Sequence, residues 1–241
     1  MYEYLGLQDV FFIMLYGMAG FFALLACLYL LFRRGNAFAG EEVRSSRVLR
    51  RWTAALMAAI ATSHVWWYVI GVYWLADDWL VRTITVIMLD HATLVPLVMA
   101  VLLALLQDCR RPLWPWLLAQ VPVVVDAAVG IDQRDMFYGY ELPHYWQLIV
   151  IAVFVVYYIH ALRQYGRWLL DNYADLERKE VWQSLVVAIA LLVAYEIYTT
   201  NAGELTKEYL SQVITIVIIA FLLWRVETLQ ELEPEESEKT I

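Results

Sequence analysis

Long apolar runs recur along the chain, and their length predicts helices that cross a membrane. A membrane-spanning helix needs about 20 mainly apolar residues to cross roughly 30 Å of hydrocarbon. Strands of a membrane barrel would instead alternate in polarity over about ten residues. Runs of the helical kind occupy residues 10–32, 52–75, 80–106, 113–131, 145–169, 181–200 and 207–225. The pattern therefore predicts an all-α fold, a polytopic seven-transmembrane helix bundle over residues 1–225.

The composition supports a membrane protein and disfavours a soluble one. Of the 241 residues, 62% are hydrophobic and only 17% are charged. A soluble domain is about half apolar and a quarter charged, and a globule of this size cannot bury the excess. The net charge of −8 argues against direct nucleic-acid binding, because phosphate contacts need clustered basic residues. We therefore expect the lipid bilayer to be the main partner of this chain.

The distribution of basic residues predicts how the bundle lies in the membrane. Of the 17 basic residues, only Arg82, Arg134 and Lys207 fall on the side that carries the N-terminus. The positive-inside rule then predicts an external N-terminus and a cytoplasmic C-terminus in a bacterial inner membrane. Residues 226–241 become a short acidic cytoplasmic tail. The N-terminus is acidic and lacks the features of a signal peptide, so we expect the first run to be retained.

Four of the ionisable residues within the predicted spans are candidates for a small-ligand or proton site. An ionisable group inside the bilayer is costly and is a functional candidate by default. The candidates are His64, Asp90, Asp126 and Glu196. Helical rise places Asp90 about 15 Å deep, with His64 at a similar depth as its expected partner, while the other two lie about 6–8 Å deep. For all four, the alternative is a structural role that pins helices together.

Weaker polar candidates accompany these four residues. They are Gln120, Gln147, His160 and Gln212. Pro122 removes one backbone hydrogen bond and predicts a kink just before Asp126. The chain offers no paired histidines at metal-ligand spacing and no lysine inside a span, so we predict no metal site, no retinal, no other cofactor and no catalytic residues.

Two segments predicted to be cytoplasmic carry a family resemblance. One is LDNYADLERKEVWQS at 170–184, and the other is LLWRVETLQEL at 222–232, which predicts a helix that continues out of the membrane. Both resemble the N-terminal membrane region of bacterial membrane-bound regulators, in which transmembrane helices precede an AraC-type helix-turn-helix or a histidine kinase domain. The resemblance implies a sensory role. Only 16 residues follow Arg225, so we expect the output domain to lie outside this chain, in a continuation or a partner.

These observations favour a membrane-embedded sensory module that relays a small-ligand or proton signal through the last two spans. The residues expected to relay it are Glu180, Trp182, Trp224 and Arg225. Three alternatives stay open: a small-molecule or proton transporter or channel, a metal-dependent intramembrane enzyme, and an anchor that holds a partner protein. Pairing with a second copy of the chain, as a homodimer, is also left open.

Overall fold

The computed structural model describes residues 7–33, 45–74, 77–173, 181–186 and 204–232, and these contain helices and no strand. The all-α prediction is therefore confirmed for the described part of the chain. The helices are α1 (Leu7–Phe32), α2 (Arg47–Tyr68), α3 (Trp79–Leu105), α4 (Trp114–Leu118), α5 (Val121–Gln133), α6 (Leu142–Asn172) and α7 (Glu204–Thr228).

Five helical stretches are long and apolar enough to cross a membrane. They are Asp9–Phe32, Trp79–Leu105, Trp114–Gln133, Phe137–Asn172 and Tyr209–Thr228. Each coincides with a predicted run, and their outward faces expose large apolar side chains such as Phe21, Val156 and Val217. Such faces need an apolar surrounding, because water would make them costly to expose. The chain is therefore a multi-pass membrane protein.

The predicted run at 52–75 corresponds to α2, which is less apolar than these five stretches. The helix begins with Arg47, Arg50 and Arg51, and it continues without a break into a π-helix at Val69–Trp74. It packs against α1, α3 and α7. Because its neighbours cover so much of its surface, α2 needs only a partial apolar face. Because α2 lies between α1, α3 and α7, its polar side chains can contact all three helices.

The predicted run at 113–131 forms two helices rather than one kinked helix. The break falls at Ala119 and Gln120, between α4 and α5, and prolines lie in the first turn of both helices. A proline has no amide hydrogen and fits the first turn of a helix, where that hydrogen would have no partner. Pro122 therefore starts a new helix, α5, where the sequence predicts only a bend before Asp126.

The predicted helical exit of the last span is shorter than expected. The helix α7 ends at Thr228, and residues 229–232 are not helical. Leu229 and Leu232 are nevertheless buried, so this segment folds back onto the bundle instead of projecting as a helix. The predicted span at 181–200 lies outside the described residues, except for a short stretch at 181–186.

The helices form one bundle with two ends. The helix α1 packs against α2 and α7, α2 packs against α3, and α5 packs against α3 and α6. We call the end where α2 begins the Arg50 end, and the end where α3 begins the Trp79 end. At the Trp79 end, Arg134 pairs with Asp78 at 3.0 Å. This ion pair joins the end of α5 to the start of α3.

Candidate functional site

Asp90 on α3 receives three hydrogen bonds, all from α2. Ser63 Oγ donates to Oδ1 at 2.6 Å, and Trp66 Nε1 donates to the same oxygen at 3.0 Å. Trp67 Nε1 donates to Oδ2 at 2.7 Å. The three donors are spaced at i, i+3 and i+4, so they share one face of α2. The pattern ties α2 to α3 within the membrane-spanning part of the bundle.

The three donors supply Asp90 with hydrogen bonds that replace those that water would make to its carboxyl oxygens. An indole N–H can only donate, so Asp90 acts as the acceptor in both indole bonds. Hydrogen bonds to a charged acceptor are about twice as strong as those between neutral groups. Asp90 is therefore held in place by neutral donors rather than by a cationic side chain.

His64 points to the other side of α2, towards α1 and α7. Its Nδ1 lies 2.8 Å from the carbonyl oxygen of Ile60, and its Nε2 lies 3.0 Å from Oε1 of Gln212 on α7. The ring centroid lies 4.5 Å from that of Tyr16 on α1, whose hydroxyl donates to the His64 carbonyl at 2.9 Å. His64 thus joins three helices at one level.

The expected pairing of His64 with Asp90 is not formed. Consecutive helical residues point about 100° apart, so Ser63 faces Asp90 while its neighbour His64 turns away. The hydrogen bonds of both side chains are accounted for by other groups. The two residues remain linked through the backbone of α2 and through the long-range attraction of opposite charges when His64 is protonated.

The bonding of His64 depends on its protonation state. Because a carbonyl can only accept, Nδ1 must carry a hydrogen. A neutral imidazole then has an acceptor at Nε2 and needs the amide N–H of Gln212, whereas an imidazolium donates at both nitrogens and needs the amide oxygen. Here Oε1 faces His64 and the amide nitrogen donates to Ser211 Oγ at 3.3 Å. Gaining or losing one proton therefore requires the Gln212 amide to turn.

Close packing holds His64 from the α1 side. A Cβ atom added to Gly20 would lie 3.2 Å from both Cβ and Cγ of His64, whereas one added to Gly17 meets nothing within 4 Å. Contacts of 3.2 Å are tighter than most packed carbon atoms allow. Gly20 therefore lets α1 approach the imidazole more closely than any other residue type would.

A second polar cluster, which the sequence analysis missed, lies at the Arg50 end. Arg50 on α2 pairs with Glu227 on α7 at 3.1 Å, and the side chain of Glu227 has no exposed surface. The guanidinium also donates to the carbonyl of Arg33 at 2.6 Å and to Ser45 Oγ at 3.1 Å. A buried charge is tolerated when it is paired and hydrogen-bonded in this way. Arg50 thus joins the end of α1 to α7.

The residues after α7 are held by the side chain of Gln107, which lies two residues beyond the end of α3. Nε2 of Gln107 donates to the carbonyl of Gln230 at 3.0 Å, and its Oε1 accepts from the amide of Leu232 at 2.9 Å. One amide therefore satisfies two backbone groups, as a neighbouring strand would. The chain leaving α7 is fixed to the end of α3.

The other predicted site and relay residues differ in burial and in whether the structure describes them. Asp126 is partly buried on α5, with no hydrogen bond to another described residue. Trp182 and Trp224 are exposed, as expected for side chains at a lipid or interfacial surface, while Arg225 is buried. Glu180 and Glu196 lie outside the described residues. Of the four site candidates, two therefore meet α2. His64 lies on α2, and Asp90 of α3 accepts hydrogen bonds from a different face of the same helix.

Some of the missed residues left a signal in the sequence. Ser63, Trp66 and Trp67 present three donors on one helical face, and an acidic residue in a neighbouring span is the natural acceptor. Gln212 was a weaker candidate and is the partner of His64. The pairing of Arg50 with Glu227 left no local signal, because the two residues are 177 positions apart.

No group of three or more His, Cys, Asp or Glu side chains in the described ranges is arranged to hold a metal ion. The polar groups that meet around His64 and Asp90 are otherwise uncharged hydrogen-bond donors and acceptors. Such a set can bind or release a proton and can hold a polar ligand. Comparisons of the chain with protein families, with curated proteins and with solved structures found no match.

Proposed function

We propose that this chain is a sensory membrane module, with seven spans, an external N-terminus and a cytoplasmic C-terminus in a bacterial inner membrane. In this proposal a proton or a small ligand acts at His64, and α2 and α7 relay the change to the cytoplasmic side. The observation that carries the proposal is that α2 and α7 are joined by polar contacts at two levels, His64 with Gln212 and Arg50 with Glu227.

The spacing of the two contacts supports a mechanical relay. His64 and Arg50 are 14 residues apart on α2, or about 21 Å, and Gln212 and Glu227 are 15 apart on α7, or about 22 Å. The two helices therefore keep register over this length. A shift of α7 that accommodates a new bond at Gln212 must also displace Glu227 or break its pair with Arg50. A signal of this type requires two arrangements that the proton or ligand stabilises differently.

The surroundings of His64 support a proton as the simplest signal. Histidine is the side chain whose charge changes most readily near neutral pH. Protonation reverses the bond that Nε2 makes to Gln212. Tyr16 and Gly20 leave the ring little room to move, so the Gln212 amide and α7 take up the change.

The buried end of α7 supports an output at the cytoplasmic face. Arg225, Leu229 and Leu232 are buried there, and Gln107 holds the chain beyond α7. A displacement of α7 would therefore alter a packed surface rather than a free tail. A cytoplasmic output domain or partner protein that reads this surface would complete the resemblance to membrane-bound regulators.

The test measures the distance between α2 and α7 at the Arg50 end as the pH changes. Spin labels at the exposed positions Val48 and Trp224, in the cysteine-free full chain in lipid nanodiscs, report this distance. We expect one pH transition that His64→Gln abolishes. The control His160→Gln, at an exposed histidine on α6, should leave the transition intact. A distance that is independent of pH in the unmodified chain would refute the relay.

Two further measurements define the site and separate the proposal from a transporter. Asp90→Asn replaces one acceptor oxygen with an amide nitrogen, which cannot accept the hydrogen bond from Trp67, so we expect a lower melting midpoint with the fold retained. In reconstituted vesicles, a sensor should not change the rate at which a pH gradient collapses. Proton flux that His64→Gln abolishes would favour the transporter instead.

A further inference from the structure

Two buried glutamine amides are left without a hydrogen-bond partner within the described part of the chain. Gln120 lies at the break between α4 and α5 and is 5% exposed, and Gln147 on α6 is fully buried. Neither the nitrogen nor the oxygen of either amide meets a donor or acceptor there. Buried amides nearly always have such partners in folded proteins. The two unpartnered amides therefore indicate that another molecule hydrogen-bonds to them.

The contacts around these residues place both amides at one helix interface. Trp146 Nε1 donates to the carbonyl of Ala119 at 2.8 Å, and the two glutamines are the next residues along each segment. On the same interface, the ring of Trp116 packs edge-on against Phe154 with the centroids 4.9 Å apart. The break between α4 and α5 thus lies directly against α6, with Gln120 and Gln147 turned inward.

This interface lies within the membrane-spanning region. Gln147 is five residues from Leu142, the first residue of α6, which corresponds to about 8 Å of helix. Lipid offers no hydrogen bonds at this depth, and irregular backbone is found there only when it is buried in protein or lines a hydrated cavity. The break at Ala119 and Gln120 is such irregular backbone.

Prolines free additional acceptors in the neighbouring helices. Pro122 in α5 and the buried Pro96 in α3 have no amide hydrogen, so the carbonyls of Leu118 and Ala92 lose their usual helical donors. The helix α3 packs against α5 and also touches α4 and α6. These carbonyls can only accept, whereas the amides of Gln120 and Gln147 can both donate and accept.

We infer that the break between α4 and α5 and the adjoining turn of α6 bind small uncharged molecules that carry hydroxyl groups, at the amides of Gln120 and Gln147. Each amide offers two N–H donors and one carbonyl acceptor, which complement a hydroxyl that both donates and accepts. Neither amide supplies a counter-charge, so a charged ligand would be strongly disfavoured. Water and a small alcohol share this chemistry. The inference is independent of the proposed sensory function.

The first test detects the occupant in the unmodified full chain in lipid nanodiscs. Solid-state NMR with 15N-labelled glutamine side chains measures magnetisation transfer from water to each amide, and Gln120→Met and Gln147→Met assign the two signals. Transfer to both amides in buffer alone identifies water. If added glycerol shifts both signals and reduces the transfer, the site takes a solute. Absence of both effects at either amide overturns the inference.

The second test uses thermal stability. Methionine has a similar length and no strong hydrogen-bonding group, so Gln120→Met or Gln147→Met removes one amide from the site. With an occupant present, each variant should lower the melting midpoint by about 2–4 °C. The control Gln133→Met, at an exposed position on α5, should have no effect. A higher midpoint for either buried variant overturns the inference, since removing a truly unbonded amide is stabilising.

Discussion

The pair formed by Arg50 and Glu227 allows a quantitative test of how the bundle is held together. We predict that Glu227→Met destabilises the folded chain by about 3–4 kcal/mol, because it leaves a buried guanidinium without its anion. Glu227 is fully buried and Arg50 is nearly so, with 3.1 Å between them, so water cannot replace the lost partner at low cost.

Arg50→Met should be slightly more harmful, at about 4–5 kcal/mol, because the guanidinium also serves the carbonyl of Arg33 and the hydroxyl of Ser45. The double variant Arg50→Met with Glu227→Met leaves no buried charge. We therefore expect it to lose about 2–3 kcal/mol less than the sum of the single changes. Equilibrium unfolding by denaturing detergent in mixed micelles measures all three values.

Arg51→Met provides the matched control, since Arg51 is exposed on the same turn of α2. Its effect should stay within about 0.5 kcal/mol. If the two single changes at Arg50 and Glu227 instead add up within about 0.5 kcal/mol, the two side chains do not interact energetically. That result would remove the contact at the Arg50 end on which the proposed relay depends.

Three further predictions concern packing and accessibility. Gly20→Ala should lower the melting midpoint and Gly20→Leu should lower it further, because the added carbon meets His64, whereas Gly17→Ala should not lower it, because its added carbon meets nothing within 4 Å and alanine favours the helix. An impermeant maleimide should label exposed Cys109 in inside-out vesicles only, with buried Cys27 unlabelled in both orientations; labelling from the external side would refute the proposed orientation. Because partial burial raises the pKa of the Cys109 thiol, the labelling rate should be slow at neutral pH and should rise with pH as the thiolate forms.

The sequence was sufficient to predict the helical class and most helix positions. Apolar runs of about 20 residues predicted α1, α3 and α7 to within a few residues at each end, because the thickness of the bilayer sets a minimum length that is readable without tertiary information. The rule was less informative for α2, whose arginines and small residues are accommodated by packing against other helices. It also missed the break at Gln120, since hydropathy does not register where a proline starts a new helix.

The candidate site was predictable only in part, for a geometric reason. Depth along a helix follows from residue number, so the levels of His64 and Asp90 could be predicted. Rotation about the helix axis relative to its neighbours depends on packing, and this decided that Ser63 rather than His64 faces Asp90. Contacts across the whole chain, such as that of Arg50 with Glu227, depend on which helices become neighbours.

The length of α6 has a consequence for what lies outside the lipid. Its apolar part, residues 142–162, covers about 31 Å at 1.5 Å per residue, which already matches the hydrocarbon thickness. The following ten residues, which include exposed Arg163 and Arg167, extend the same helix by about 15 Å. The buried contact of Tyr158 with Ser184 joins a later segment to α6 shortly before this extension. A thicker or thinner bilayer would therefore change how much of the extension the acyl chains cover.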